Sequence, residues 1–237
     1  MICVRRGYDP REDLSSSLGC HHLKGRLWIP RNCVGLAVVA WEGDRRGRRL
    51  RRSFARALGS VGVATCEVEL LDPMDVDDPT KLADLELLAG RLAASVDYVS
   101  KRADTCHLPL VLVGGDRAAA AAVMVAARRP NELRAVACCA GDVLEAPVEA
   151  AVLDVPTMLV VPSKHSKLIE TNERFFWSLT CTSQIAVIRG ASRQFEEPGT
   201  LLACEKVVTQ WCTRHLEERP VSGGRQFGRE RLFASRN

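Results

Sequence analysis

The chain has 237 residues, 46% of them hydrophobic and 26% charged, with a formal net charge of +4. That length suits one α/β domain or two small ones, and the composition is ordinary for a globular protein able to bury a proper core. No run approaches 18 apolar residues, which excludes a membrane-spanning helix, and the ten cysteines are scattered without a C-x-x-C pair, which argues against a disulfide framework.

Those cysteines sit in apolar segments (Cys66, Cys138, Cys139, Cys204) and read as buried free thiols of a reducing compartment. Residues 1–10 carry two arginines but no apolar stretch of the kind a secretory leader needs, so the expected location is cytoplasmic. Residues 1–22 are expected to be an N-terminal extension. A strand over 23–30 follows, with Gly25 at its turn. Val34-Gly35-Leu36-Ala37-Val38-Val39-Ala40 is a continuous apolar run, as expected of a strand covered on both faces. Leu50, Phe54 and Leu58 recur every four residues and predict a helix closed by Gly59, and residues 61–71 form the next strand, ended by Asp72-Pro73. Leu85, Leu88, Leu92, Val96 and Val99 give the most regular helical stripe in the chain.

Next comes Leu110-Val111-Leu112-Val113-Gly114-Gly115-Asp116-Arg117-Ala118, a buried strand that turns sharply into an alanine-rich helix ended by Pro130. A turn this tight strains its central residue and demands small residues two before and two after it. Gly114 and Ala118 satisfy that demand, with Asp116 at the apex. The pattern is that of a nucleophile elbow, G-x-S-x-G, with aspartate in place of serine. Strands over 133–139, 156–161 and 184–188 and helices over 168–179 and 201–216 complete the alternation, which implies a mostly parallel sheet with helices on both faces. Residues 217–237, rich in Arg, Gly and Ser, are expected to be a mobile tail.

Several segments in this order resemble the α/β-hydrolase superfamily, and more narrowly its dienelactone-hydrolase-like branch. They are Gly62-Val63-Ala64-Thr65, Asp84-Leu85-Glu86-Leu87-Leu88-Ala89-Gly90-Arg91-Leu92, the elbow with its helix ending Ala126-Ala127-Arg128-Arg129-Pro130, and Arg189-Gly190-Ala191-Ser192-Arg193-Gln194-Phe195-Glu196-Glu197-Pro198-Gly199. The resemblance covers residues 25–216 and implies a single α/β-hydrolase domain over 23–216. It also implies a nucleophile, an acid and a base at set positions, and there this chain departs from the pattern. The nucleophile position is Asp116, the acid position is His165, and the histidine position is Arg193. The oxyanion loop, which would open with His-Gly, reads Trp41-Glu42-Gly43. Arginine keeps its proton in proteins, so Arg193 offers no base to activate a nucleophile or a water. The expectation is a protein of hydrolase fold whose triad is degenerate and which acts by binding a small molecule or a protein. The alternative is a hydrolase of small esters or lactones with Asp116 as nucleophile. An Asp116–Arg193 ion pair is predicted across the would-be site, buried if the site is dry.

Other residues admit a chemical role beside a plainer one. Asp142 stands where some α/β-hydrolases carry the triad acid, but a loop aspartate is more often a turn residue or cap. Cys138 or Cys139 as a reactive thiol lacks an obvious base. Cys20-His21-His22 lacks a second ligand cluster, so no metal is expected, and Gly114-Gly115 lacks the G-x-G-x-x-G spacing of a dinucleotide site, so no cofactor is expected. The strongest charge feature is Arg45, Arg46, Arg48, Arg49, Arg51 and Arg52, placed in a loop on the rim of the site. These are candidate anion-binding residues, for polyanions included, against the plainer reading of a solvated basic loop. The sequence carries no indication of oligomeric state.

Overall fold

A computed structural model describes residues 12–14, 24–41, 45–71, 75, 78–147, 152–217 and 228–234. The described residues build a nine-stranded sheet with strands β1 (Glu12–Leu14), β2 (Gly25–Trp28), β3 (Gly35–Trp41), β4 (Val63–Glu69), β5 (Leu110–Gly115), β6 (Leu133–Cys139), β7 (Thr157–Pro162), β8 (Ser183–Ile188) and β9 (Arg229–Ala234). Their order across the sheet is β1-β2-β4-β3-β5-β6-β7-β8-β9, so β5 is the middle strand. From β4 to β9 every pairing is parallel; β2 runs antiparallel to β4, and β1 antiparallel to β2. Every residue of β3 and of β5 is buried, as a strand covered on both faces requires.

Helices α1 (Arg45–Ser60) and α6 (Thr200–Glu217) pack together on one face, and α3 (Leu85–Lys101) packs with α4 (Arg117–Arg128) on the other. A short helix, α2 (Pro79–Ala83), precedes α3, and α5 (Ser166–Ser178) covers β7 and β8. Residues 118–126 of α4, six of them alanine, are all buried, because a helix that leaves the sheet through so tight a turn runs too close to it for larger side chains. Helix α1 leaves β3 and helix α4 leaves β5 toward opposite faces. The carboxyl ends of β3 and β5 therefore flank a switch point, where open parallel sheets form their ligand crevices.

Three expectations are corrected. The arginine run is not a loop: α1 begins at Arg45 and includes all of it. Gly59 does not close that helix, which continues to Ser60; a Cβ at Gly59 would lie 1.8 Å from the Trp28 ring, so the glycine is there for packing. The ends of the chain are not simply appendages either. Glu12–Leu14 pairs with β2, and Arg229–Ala234, within the expected mobile tail, extends the sheet beside β8 with Arg231 Nη2 2.5 Å from Glu173 Oε1. The Asp72-Pro73 stop lies outside the described residues.

Candidate functional site

The elbow is built as the spacing predicts. Asp116 has φ 51° and ψ −127°, a conformation that costs a non-glycine residue of order 1–3 kcal/mol. The surrounding backbone enforces it. A Cβ at Gly114 would come within 2.4 Å of the Ala118 carbonyl oxygen, and one at Gly141 within 2.2 Å of the Asp116 carbonyl oxygen. Gly115 backs onto the ring of Trp41, where a Cβ would fall 1.7 Å from Cε2. Asp116 N donates to Cys139 O at 3.0 Å, and Ala119 N donates to Asp116 O at 3.1 Å. The side chain of Asp116 does not cap α4 and is left to face Arg193 beyond the carboxyl end of β5.

Arg193 meets it from the loop between β8 and α6. Its Nε donates to Asp116 Oδ1 at 2.8 Å, the ion pair predicted from the sequence. The site is wetter than a dry elbow, however, with the Arg193 side chain 43% exposed and that of Asp116 18% exposed. A pair this open contributes roughly 0–1 kcal/mol, well short of the cost of stranding a buried charge.

The Arg193 loop is tied to the loop after β7. Gly190 N donates to Ser163 Oγ at 2.8 Å, and Lys164 N donates to Ala191 O at 3.0 Å. Glu197 accepts from Lys164 Nζ at 2.7 Å and from Ser192 N at 2.8 Å, which together hold its carboxyl down at about 2. Phe195, buried at φ 50°, anchors the middle of the loop, so Arg193 and Gln194 project from a fixed base.

Together these elements line a cavity of about 330 Å³, bounded by Arg46, Leu50, Asp116, Arg117, Glu145, Arg193 and Gln194. Arg117 Nη1 lies 3.6 Å from Glu145 Oε2, and Arg49 Nη2 donates to Gln194 O at 3.2 Å, fastening the start of α1 to the Arg193 loop. Arg117 and Glu145 escaped the sequence reading. Arg117 directly follows the apex and was legible by position; Glu145 and the packing role of Gly141 depend on how the chain after β6 folds back, which leaves no local signal.

The remaining candidates separate. His165 does not line the cavity. It caps α5, its Nδ1 accepting from Leu168 N at 3.2 Å. Asp142 caps a 3-10 turn at Val143–Glu145, accepting from Leu144 N at 3.1 Å. Cys138 and Cys139 are buried, and burial pushes both thiols far up, which disfavours the thiolate a nucleophile requires. Trp41 is buried and stacks on Phe54 with ring centroids 5.1 Å apart, so it is a core residue rather than part of an open oxyanion loop; Glu42 and Gly43 lie outside the described residues. Cys20-His21-His22 also lies outside them, and among the described residues no cluster of three His, Cys, Asp or Glu side chains is placed to hold a metal. Among those residues, too, no helix is long and apolar enough to cross a membrane.

The arginine run divides by helical face. Arg51 is corrected from a candidate ligand to a buried structural residue: Nη2 pairs with Glu69 Oε1 at 2.7 Å and Nη1 donates to Trp41 O at 3.1 Å. Arg48 Nε lies 3.3 Å from the same Glu69 oxygen. Arg46 faces the cavity over Asp116, whereas Arg48, Arg51 and Arg52 line a second depression with Lys24, Arg26, Glu67 and Glu69. Arg45 is the first residue of α1.

No family model matches the chain. Among solved structures, it is similar to a dienelactone hydrolase from Anabaena variabilis, with 30% identity and a TM-score of 0.82 over 88% of this chain and 99% of that one. It also shares its fold with an alpha-beta serine hydrolase homologue from Coxiella burnetii (15% identity, TM-score 0.69, covering 84% of this chain and 96% of that one). Curated relatives from two strains of Mycobacterium tuberculosis, provisionally named phosphoribosyl transferases, are 31% identical over 206 residues. That match takes in 86% of this chain and 46% of theirs, so the chain spans about half the length of those relatives.

Proposed function

We propose, since the chain belongs to the dienelactone-hydrolase-like α/β-hydrolases, that it keeps the family's fold and pocket as a binding protein and has lost hydrolytic activity. The observation that carries this reading is the contact between Arg193 and Asp116. In this fold the elbow apex and the loop after β8 meet so that a nucleophile can hand its proton to a base. Here a carboxylate meets a guanidinium at 2.8 Å, and a guanidinium accepts no proton. The pair occupies the ground above the elbow where a substrate carbonyl would approach. His165, which stands at the position expected for the acid, serves as a helix cap and does not line the cavity.

The test is turnover of p-nitrophenyl acetate and of small lactones by the purified protein and by Asp116→Ala. Rates equal to each other and close to buffer are expected. Turnover well above buffer that disappears in Asp116→Ala would overturn the reading.

A second reading, hydrolysis with Asp116 as nucleophile, is favoured by one specific observation. The apex keeps its strained conformation although no serine is there to benefit from it. Even so, release of a covalent intermediate needs an activated water, and among the described residues the cavity lining supplies no imidazole. The relatives' name suggests a role in phosphoribosyl transfer, for which the arginine-lined cavity is the supporting feature; with half of those proteins unmatched, this chain would be one part of such an activity. Polyanion binding along α1 would fall to Arg45, Arg46, Arg48, Arg49 and Arg52, because Arg51 is buried.

A further inference from the structure

We infer that the cavity above the elbow is a site for a small phosphorylated metabolite, whose phosphate is held by Arg46, Arg117 and Arg193. This rests on the reading of the pocket as a binding site and names the chemistry of its ligand.

Charge comes first. Three guanidinium groups face two carboxylates, Asp116 and Glu145, in a cavity whose apolar lining is Leu50. Among the described lining residues the surplus is positive, and the three arginines come from three separate elements: the first turn of α1, the first turn of α4, and the loop between β8 and α6. A carboxylate is planar and offers two oxygens to one fork. A phosphate monoester offers three terminal oxygens in a tetrahedral array, which suits donors arriving from three directions. Arg193 touches Asp116 through Nε, at the root of its fork, so its two terminal nitrogens are the part a ligand would meet.

The helices supply an independent observation. Both α1 and α4 begin at this cavity, and neither carries an acidic residue in its first turn. The positive end of a helix dipole favours acidic side chains; arginines placed there are opposed by it. Arg46 and Arg117 each incur that opposition, which at α4 is offset in part by the carboxylate of its N-cap residue, Asp116. An anion seated between them is attracted by both helix ends and by the arginines, and it removes the repulsion. The cavity, about 330 Å³, is in the lower range of metabolite pockets and so has room for more than a bare ion.

The experiment is calorimetric titration of the full chain with ribose 5-phosphate, ribose and inorganic phosphate, repeated on Arg46→Ala, Arg117→Ala and, as a control on α6, Arg214→Ala. Saturable binding of ribose 5-phosphate is expected, competed by inorganic phosphate and absent for ribose. It should weaken about tenfold or more in Arg46→Ala and in Arg117→Ala, as the loss of a charge-assisted hydrogen bond to phosphate implies, and stay unchanged in Arg214→Ala. Circular dichroism of the exposed Arg46→Ala variant establishes that it folds. No saturable binding, equal binding of ribose, or equal affinity in all variants would overturn the inference. So would retention on heparin that ribose 5-phosphate fails to displace, which would mark a polyanion surface instead. Ester turnover by the wild type would overturn the non-hydrolytic reading while leaving the phosphate titration to be judged by its own result.

Discussion

The elbow and the loop that faces it are held by different constraints. At the elbow, backbone geometry is intact: a positive-φ apex, glycine two residues before it, alanine two after, and a third small residue, Gly141, pressed against its carbonyl. Across the gap, the loop over 189–199 is equally well built, with three ties to the β7 loop, a buried Phe195 and a strongly acidic Glu197, and what it presents to Asp116 is a guanidinium. Steric demand fixes the first region, because a larger side chain has nowhere to go. Nothing steric fixes the residue at 193, which projects from the cavity wall half in solvent. Scaffold and chemistry therefore part company at the side chains that touch only the cavity.

If that contrast is right, the largest effects come from the scaffold. Gly115→Ala should cost about 2–3 kcal/mol, since its methyl would collide with the buried Trp41 ring, which stacks on Phe54 and has no room to retreat. Chemical denaturation checks this; a loss under about 0.5 kcal/mol would mean that Trp41 moves freely. Next comes Arg51→Ala, expected to cost about 2 kcal/mol because it strips a charge-assisted hydrogen bond from Glu69 and another from the Trp41 carbonyl. Arg52→Ala, one residue along on the same helix, should stay within about 0.5 kcal/mol of wild type. Equal effects of the two would erase the division of the helix into a buried, structural side and a more open one.

A sharper comparison replaces Asp116 by glycine and by alanine. Both lose the contact with Arg193, but only glycine adopts the apex conformation without strain, so Asp116→Gly should be the more stable by about 1 kcal/mol. Alanine as stable as glycine would show that the apex is relaxed.

The smallest effect concerns Glu197. Its carboxyl is held at about 2, below its ordinary 4.5, first by Lys164 and then by the Ser192 amide. A depressed value contributes stability that is present in full above the unfolded value and is lost as pH falls through the native one. The loop over 190–199 should therefore loosen between about pH 4.5 and 2, seen as faster amide exchange at Gly190 and Ser192. Glu197→Gln should remove that pH dependence and leave Gly190 and Ser192 at neutral pH as weakly protected from amide exchange as they are in the wild type near pH 2.

Much of this arrangement was legible from the chain itself, for reasons that differ by residue. The elbow was readable because Gly114, Asp116 and Ala118 act within five residues, and backbone sterics at that range are written in the local sequence. Strand β6 was bounded at the right residues because the apolar run from Leu133 to Cys139 ends where burial ends. The arginine run misled because charge suggests a loop, whereas Leu50, Phe54 and Leu58 impose a helical repeat that reaches back to Arg45. Arg51 was hidden for the same reason: its pairing with Glu69 exists only once β4 lies beside β3. Strand β9 was missed because Arg229, Glu230 and Arg231 resemble a solvated tail, and an edge strand needs only one pairing partner, β8.

The account turns on whether the carboxylate at the apex is a nucleophile or half of an ion pair. Rapid mixing of the protein with p-nitrophenyl acetate, at comparable concentrations of each, separates these without requiring the second, water-dependent step. A covalent intermediate on Asp116 would release p-nitrophenol in a burst that approaches the protein concentration. The ion-pair account predicts no burst, and a trace that matches Asp116→Ala. A stoichiometric burst in the wild type that vanishes in Asp116→Ala would contradict it.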